Sequence, residues 1–445
     1  MNAIQKRNIA LLVSGRLISL AGTGIQLIAI PLFILKTTGS GTMMGLFTIA
    51  LLAPMLLCAP FAGVLGDRLN RKHMMVIADI ARGLLVGTLA LTALFNALNL
   101  TILFVLQVLV SLMDSLFNAA SDGILPDLAN QEDLPKVNAA KGSADAITMI
   151  AGPVLGGVIF GLIGIQWVLI INAASFAISA ILESCLKYRK TTQDKGKMSV
   201  STFMHEIRQA IRFIGKARGL MILFIFACVL NFLVNPIFEI VMPYITTKTI
   251  GFDYLQYSLL LAGFMAGLLA GNLYTGGIFK KVGAEKLMKR GMVGQGIVFL
   301  LTAGAFFPIV GTWLGGATWT YFGVLAATLF AIGFLNTWVN MPLQVNMQTM
   351  VPTEMRSRFY AILGFFCQAA VPVGAVIYGL LLDNVAPYLI IGIVAAVVLL
   401  LTVVFVIKAP KEVYVPQGVG AEIQAAGNPA GTGSNPNALQ GGTAE

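Results

Sequence analysis

Long apolar runs alternate with short polar stretches along most of the chain. About 20 consecutive apolar residues form a helix that crosses the hydrocarbon core of a bilayer. Twelve runs reach this length, and each predicts a membrane-spanning helix. The predicted spans cover residues 8–35, 42–66, 74–96, 100–122, 143–164, 166–186, 220–247, 254–279, 287–308, 318–341, 356–382 and 385–407.

The composition excludes a soluble fold. Hydrophobic residues make up 57% of the chain and charged residues 11%, and the mean hydropathy is +0.86. Soluble domains carry about 25% charged residues, so this chain has too few charges to cover a water-exposed surface. Its 4 cysteines lie far apart in apolar runs, and it has only 2 histidines. We therefore expect no disulfide framework, no metal site and no cofactor.

Basic residues indicate which side of the membrane each connection faces. Lys and Arg cluster at both termini and in every second connection between spans, whereas the other connections carry only Lys36 and Lys248. The positive-inside rule assigns the basic side to the cytoplasm, so both termini are predicted to be cytoplasmic. The net charge of +10 follows from this topology. We therefore do not expect nucleic acid as a partner.

The longest connection divides the twelve spans into six and six. Within it, STFMHEIRQAIRFIGKARG places Phe203, Ile207, Ile211 and Ile214 on one helical face, which predicts an amphipathic helix on the inner leaflet. The residues that follow this connection are apolar again. The last part of the chain is rich in Gly, Ala, Asn and Pro, which predicts disorder. The predicted domains are a first bundle (1–187), a cytoplasmic linker (188–218), a second bundle (219–410) and a disordered tail (411–445).

The two halves also resemble each other in sequence. PVLGGVIFGL (Pro153–Leu162) resembles PVGAVIYGL (Pro372–Leu380), and NRKHMM (Asn70–Met75) aligns with GAEKLM (Gly283–Met288). The similar spacings of these pairs predict two six-helix bundles of the same topology, related by an axis along the membrane normal. The predicted fold class is therefore an all-α polytopic membrane protein.

The connection between spans two and three carries a motif of small and charged residues. It consists of Gly63, Asp67, Arg68, Asn70, Arg71 and Lys72. This pattern resembles the signature of the major facilitator superfamily, with Asn70 where the family has glycine. ADIARG (78–83) resembles the branch that includes macrolide-efflux and siderophore-export proteins, and AGPVLGG (151–157) resembles the antiporter motif. The membrane arginine of the family's fourth helix is not seen, and Asp114 lies in that region.

The resemblance implies a major facilitator fold in which two pseudo-symmetric bundles alternate in opening to either side. The motif would then act as a gating latch on the cytoplasmic side. Asp67 can reach the positive N-terminus of the eleventh helix, close to Arg356 and Arg358, and Arg71 can reach Asp122 or Asp127. The alternative is that these basic residues only set the topology, which would leave Asp67 unexplained.

Charged residues inside the spans are costly in lipid and are expected to face protein or a water-filled cavity. Arg16 and Asp114 lie at matching depths in spans one and four, and we expect them to pair. Asp79 and Arg82 are three residues apart and can satisfy each other. Glu239 lies between two prolines in span seven, where burial would favour a protonated carboxyl that can exchange. Glu239, Asp114 and Arg16 are the predicted proton-coupling residues; structural hydrogen bonds or contact with a cationic substrate are the alternatives.

Two further sets of residues follow from the expected architecture. The substrate-binding candidates, on the spans expected to line the cavity, are Gln26, Asn118, Asn231, Phe232, Asn235, Phe238, Asn336, Trp338 and Asn340. The candidates for packing between the bundles are Gly152, Pro153, Gly156, Gly157, Gly263, Gly267 and Gly271. The amide residues could equally join helices within a bundle, and the glycines could form a static seam within one bundle.

The sequence therefore favours a transporter that is not an enzyme. The predicted function is export of an amphipathic drug-like compound or a siderophore by a monomer in the bacterial inner membrane, driven by the proton gradient. A nucleotide-binding loop of the G-x-x-x-x-G-K-[ST] kind is absent from the sequence, which disfavours ATP-driven pumping. An uptake permease, a lysolipid flippase and a transport-inactive scaffold remain as alternatives.

Overall fold

The structure is a computed structural model that describes residues 3–188, 208–209 and 211–414. Within these residues, the side chains at positions 67, 276, 278–281, 353–354 and 357 lie outside the description. The described chain is almost entirely helical, as expected when every backbone polar group must be satisfied without water. Twelve long helices follow in the predicted order: α1 Ala3–Thr38, α2 Gly41–Arg68, α3 Arg71–Leu94, α4 Leu100–Gly123, α5 Leu134–Ile163, α6 Ile165–Ser184, α7 Arg218–Ile250, α8 Tyr254–Val282, α9 Ala284–Ala305, α10 Trp319–Met350, α11 Thr353–Asn384 and α12 Pro387–Lys408.

Eleven of these helices, all except α9, are long and apolar enough to cross a membrane. Helix α9 forms where the ninth span was predicted, but Lys286, Lys289 and Arg290 occupy its first turns and lower its hydropathy. Its 22 residues give a length of about 33 Å, which still matches the hydrocarbon thickness of about 30 Å.

Local signals set the helix ends. Ser40, Asn70, Asn99 and Thr318 are N-caps whose side chains each accept a hydrogen bond from the backbone N–H three residues later. Helix α7 ends at Gly251, whose φ of +89° is a left-handed conformation that favours glycine. These caps explain why the short turns fall at the polar stretches between the apolar runs.

The two halves of the molecule pack in the same way. In the first half α1 packs on α5, α2 on α4, and α3 on both α4 and α6. The second half repeats these pairs six helices later: α7 packs on α11, α8 on α10, and α9 on both α10 and α12. The predicted fold of two pseudo-symmetric six-helix bundles is confirmed.

The bundles meet mainly through two helix pairs, α2 with α11 and α5 with α8, and α2 also contacts the π-helical part of α7. In the repeat, α2 corresponds to α8 and α5 corresponds to α11. The pseudo-twofold axis between the bundles therefore relates the two pairs to each other. We call the side of the molecule with Ala3 and Tyr414 the termini face, and the other side the opposite face. The pairs touch near the opposite face, where the start of α2 packs on the end of α11. Towards the termini face, Gly63 of α2 and Gly364 of α11 are exposed, so the bundles lie apart there.

The linker and tail are described in part. Ile214 is buried and Ile211 exposed in the helical stretch 211–216, while Phe203 and Ile207 lie outside the described residues. The tail differs from the prediction at its start. Residues Lys411–Tyr414 form a helical turn, and the Tyr414 side chain is buried beside Phe405. The Asn346 amide donates hydrogen bonds to the carbonyls of Val413 and Tyr414.

Candidate functional site

A cavity of about 140 Å³ lies between the two bundles. Helices α1, α2 and α5 of the first half and α7 and α8 of the second half line it. Its wall is mostly apolar, with Leu27, Phe47 and Phe238 among the lining residues. Sites that enclose drug-sized ligands have volumes of about 300–1,000 Å³, so the bundles must move to admit such a ligand.

Glu239 reaches this cavity from an irregular part of α7. The helix is α-helical as far as Pro236 and π-helical over Ile237–Val241 and Tyr244–Ile250. Proline lacks a backbone N–H and π-turns widen a helix, so the side chains after Pro236 leave the regular register. The Glu239 side chain is accessible to solvent in the cavity, and no described side chain forms a hydrogen bond or ion pair with it.

Tyr257 of α8 lies in the same wall as Glu239. Its side chain is only 1% exposed, and its hydroxyl has no hydrogen-bond partner among the described residues. A buried hydroxyl without a partner is costly, so this group is free to bind a ligand or a water molecule. Glu239 and Tyr257 together form a polar patch in an apolar wall.

A second polar site lies inside the first bundle around Arg82. The Arg82 guanidinium donates a hydrogen bond of 2.8 Å to Asp114 of α4 and another to Asp79 of its own helix. The ring centroids of Phe117 of α4 and Phe176 of α6 lie 4.1 and 4.5 Å from the guanidinium carbon. The expected contact between Asp79 and Arg82 is confirmed. Arg82 also binds Asp114, which the sequence analysis assigned to another partner.

The predicted pairing of Arg16 with Asp114 is wrong. Arg16 instead binds Asp145 of α5 through two hydrogen bonds of 2.7 and 3.2 Å, and it donates to the Ser121 hydroxyl at 3.1 Å. Matching depth in two helices does not ensure contact, because the direction of each side chain around its helix axis also matters. Asp145 lies about three turns into α5, on the side that packs on α1.

The substrate-binding candidates divide into four groups. Phe238 lines the central cavity beside Glu239. Gln26 is 6% exposed and accepts a hydrogen bond of 2.5 Å from Asn172 of α6, so it joins helices within the first bundle. Four further amides bind within their own helices: Asn231 donates to the Ala227 carbonyl, Asn235 to Asn231, and Asn340 to Asn336.

The other two aromatic candidates, Trp338 and Phe232, and the amide of Asn118 do not line the described central cavity. Trp338 stacks on Tyr274 of α8 with ring centroids 6.3 Å apart and packs against Gly291 of α9. Phe232 packs against Gly374 of α11, and Asn118 is half-buried on α4. Trp338 and Phe232 therefore contact neighbouring helices of the second bundle, and their predicted contact with a substrate stays a prediction.

Comparison with known proteins places this architecture in a family. The family model described as Major Facilitator Superfamily matches residues 12–310 and 230–429. The chain belongs to the major facilitator superfamily.

Among the relatives of this major facilitator are two bacterial efflux proteins. The multidrug efflux pump Tap of Mycolicibacterium fortuitum is 24% identical over 84% of the chain and 91% of its own length. Macrolide efflux protein A of Streptococcus pyogenes is 21% identical over 84% of the chain and 88% of its own length. The crystal structure of the nucleoside transporter NupG superimposes with a TM-score of 0.67 at 14% identity, over 89% of the chain and 99% of NupG.

The latch motif of this major facilitator is formed in part within the first bundle. Arg71 donates hydrogen bonds to the Asp127 carboxylate at 2.9 Å and to the Gly66 carbonyl at 3.2 Å. Tyr188 also donates to Asp127 at 2.9 Å, and burial together with this hydrogen bond raises the pKa of Tyr188 to about 12. Asp127 therefore binds both Arg71 of the motif and Tyr188, the first residue of the linker.

The other latch candidates have different surroundings. Asp122 binds Lys141 at 2.6 Å, so Asp127 and not Asp122 is the partner of Arg71. Arg356 donates to the Gln348 carbonyl at 2.9 Å, and Arg68 and Arg358 also have partners. Gly63 is exposed, and the Asp67 side chain lies outside the described residues. The predicted contact between Asp67 and α11 therefore stays a prediction.

Polar contacts close the two bundles at the opposite face. The Asp383 carboxylate at the end of α11 accepts hydrogen bonds from the Gly41 and Thr42 backbone N–H groups at 2.7 and 3.0 Å, and from the Ser40 hydroxyl at 2.7 Å. The two N–H groups lie in the first turn of α2, where the helix offers them no carbonyl partner. The positive end of the helix dipole lies there too and favours a carboxylate. Lys248 of the second half donates to the Gly39 carbonyl of the first at 2.5 Å.

The glycine candidates do not share one role. A Cβ on Gly157 would collide with Ser258 of α8, so Gly157 lies at the bundle interface as predicted. Gly152 and Gly156 pack against α1, and Gly267 and Gly271 pack against the α10 backbone. Gly263 also faces α10, and Pro153 lines the central cavity. The stripe on α8 is therefore a seam within the second bundle, which corrects the prediction that it faces α5.

The sequence analysis missed three acidic residues. Asp145 and Glu183 lie within predicted spans five and six, so their position alone could have drawn attention to them. Asp383 lies between two predicted spans, where a charged residue is ordinary, so its position drew no attention to it. Its role depends on the first turn of α2, which is more than three hundred residues away in the chain.

Proposed function

We propose that this major facilitator is a proton-coupled exporter of amphipathic compounds. The observation that carries the proposal is the wall of the central cavity: it is apolar apart from a few groups, and Glu239 is its one carboxyl among the described residues. A carboxyl inside a membrane protein that pairs with no cation is a candidate for proton binding. Its place between the bundles would let a proton and a substrate compete for one site.

The proposed cycle uses the two protonation states of Glu239. With the cavity closed to water, the apolar wall favours the neutral acid. When the cavity opens to the side with the lower proton concentration, the proton leaves and the carboxylate can bind the polar end of an amphipathic compound. Rebinding of a proton from the other side displaces that compound. Asp114 is a second candidate for coupling, since a proton there would loosen its contact with Arg82.

The relatives support the substrate class. Two of them are described as a multidrug efflux pump and a macrolide efflux protein, and both align over most of the chain. The mostly apolar wall of the cavity suits compounds of this kind. We further propose that the protein acts as a monomer in the bacterial inner membrane with both termini in the cytoplasm, as the distribution of basic residues predicts.

The test is pumping of ethidium and erythromycin by a pump-deficient host that expresses the chain, compared with the Glu239→Gln variant. We expect the wild type to lower accumulation of at least one compound, and a protonophore to abolish this effect. The Glu239→Gln variant should lose pumping at equal membrane abundance, because its side chain cannot release a proton. The exposed Glu412→Gln serves as the control and should pump like the wild type.

The alternatives differ in the outcome of this experiment. An uptake permease would raise accumulation of its substrate, and a transport-inactive scaffold would move neither protons nor compounds. Pumping by Glu239→Gln that still depends on the pH gradient would show that Glu239 is not the coupling group.

One observation favours the lysolipid flippase as a second candidate. An open groove of about 500 Å³ runs between α2 and α4, and its lining is apolar, including the exposed Leu57 and Phe61. A groove that opens sideways could admit an acyl chain from the bilayer. Transfer of a fluorescent lysophospholipid between leaflets of proteoliposomes would support this candidate, and its absence beside active ethidium transport would exclude it.

A further inference from the structure

Glu183 of α6 has an unusual environment for a carboxyl group. Its side chain is 0% exposed and packs near Gly15 of α1. The Ser179 hydroxyl donates to its Oε1 atom at 3.4 Å, and its Oε2 atom has no hydrogen-bond partner among the described residues. An ionised carboxylate in such a place would lack the partners that a buried charge requires.

The charges around Glu183 do not balance if every acid is ionised. The surrounding helices contribute Asp79, Asp114 and Asp145 as acids, and Arg16 and Arg82 as bases. Arg16 binds Asp145, and Arg82 binds both Asp79 and Asp114. Lys141 lies 3.8 Å from Asp145 and 2.6 Å from the exposed Asp122. Four acids thus share the charge of two arginines, and Glu183 is the one among these four that forms no ion pair with a described residue. It is close enough to Asp79 for the two negative charges to repel each other.

The cluster borders a small cavity that lies next to the central one. The Asp114 side chain is 15% exposed and borders a second cavity of about 20 Å³. Leu27, Phe47 and Leu51 line both this cavity and the central one. A volume of this size holds about one water molecule. A proton can thus enter or leave the cluster on the side of Asp114.

We propose that Glu183 binds an exchangeable proton in the arrangement described, behind the Arg82 pairs. On release, the O–H bond of Glu183 breaks, and the proton passes by way of Asp79 and Asp114 to water in the adjoining cavity. Arg82 then neutralises Glu183 in place of Asp114, whose carboxylate faces water. This proposal rests on the proposed proton-coupled transport and adds a second proton site to it, in the first bundle.

The first test is infrared spectroscopy of the purified full-length protein in detergent at neutral pH. A protonated carboxyl in an apolar site has a resolved C=O stretching band. We expect Glu183→Gln to lose one such band, and Glu412→Gln to keep it. Because glutamine resembles the protonated acid, Glu183→Gln should fold. If it does not, ¹³C labelling of glutamate in the Glu239→Gln protein should shift the Glu183 band. Absence of any glutamate band in that sample would overturn the proposal.

The second test is transport in proteoliposomes with ethidium as the probe. Glu183→Gln should lose accumulation driven by a pH gradient, while ethidium counterflow without a gradient stays at the wild-type level. Gradient-driven accumulation by Glu183→Gln at the wild-type level would overturn the exchange of this proton. The two proposals fail separately. A Glu183 band in a protein that moves no probe contradicts the proposed function only, and pumping that requires Glu239 without a Glu183 band contradicts this inference only.

Discussion

At the scale of single residues, Arg82 organises the first bundle. One guanidinium binds two carboxylates on two helices and lies between two aromatic rings. Arginine suits this role because its planar group forms hydrogen bonds in its plane and stacks on rings with its faces. Arg16 and Asp145 form a second pair nearby, so each membrane-embedded arginine of this bundle holds helices together.

We expect Arg82→Gln to reduce the free energy of unfolding by about 3–5 kcal/mol, because it leaves Asp79 and Asp114 without their cation. Thermal unfolding in detergent, followed with a thiol-reactive dye, measures this effect. Arg212→Gln removes an exposed arginine of the linker and should leave the unfolding temperature unchanged. Equal stability of the two variants would contradict the role assigned to Arg82.

At the scale of helices, small residues decide how closely two elements approach. Gly267 of α8 lies against the Phe330 backbone of α10, where a larger side chain cannot fit without moving the helix. Gly157 of α5 lies against the Ser258 side chain of α8, across the interface between the bundles. The same residue type therefore serves a fixed contact in one place and a contact that must open in the other.

We expect Gly267→Leu and Gly157→Leu to have different effects. Gly267→Leu should lower membrane abundance and the unfolding temperature, because it separates two helices of one bundle. Gly157→Leu should fold normally and impair ethidium transport, because it hinders closure at the opposite face. Fluorescence-detected size-exclusion chromatography and the transport assay report the two properties. A folded, active Gly267→Leu would show that α8 and α10 are not tightly packed.

At the scale of the whole molecule, the two bundles form a V that is closed at the opposite face. Asp383 accepts three hydrogen bonds from the first turn of α2, and Lys248 adds one between the halves. Towards the termini face, Met149 of α5 and Leu273 of α8 are 73% and 84% exposed. An opening in this direction is the arrangement that a transporter with cytoplasmic termini adopts when it faces inward.

We expect Asp383→Asn to shift the conformational equilibrium towards opening at the opposite face. Charge-assisted hydrogen bonds contribute about 1–3 kcal/mol, which is enough to change the populations of two states separated by a few kcal/mol. Spin labels at Asn96 and Thr312, exposed residues of the first and second halves near that face, should report a larger fraction of long distances. Asp253→Asn is the control, because Asp253 binds Gln256 within its own half. Unchanged distances in Asp383→Asn would show that these bonds do not hold the face closed.

The sequence by itself determined the number and order of the helices, the division into two like halves and the family. These properties depend on the length of apolar runs, on the polar stretches between them and on a motif of neighbouring residues, all of which are local in the chain. The contact between Asp79 and Arg82 was predictable for the same reason, since the two residues lie one helical turn apart.

Only the tertiary structure decided which charges and glycines meet. Depth along a helix can be read from the sequence, but the direction of a side chain depends on the rotation of each helix against its neighbours. Arg16 therefore meets Asp145 and not Asp114, and Trp338 points between α8 and α9. The π-helical turns of α7 shift the register before Glu239, and Asp383 finds the start of α2 only when the bundles come together. Contacts of this kind join residues far apart in the chain, and packing of the whole molecule selects them.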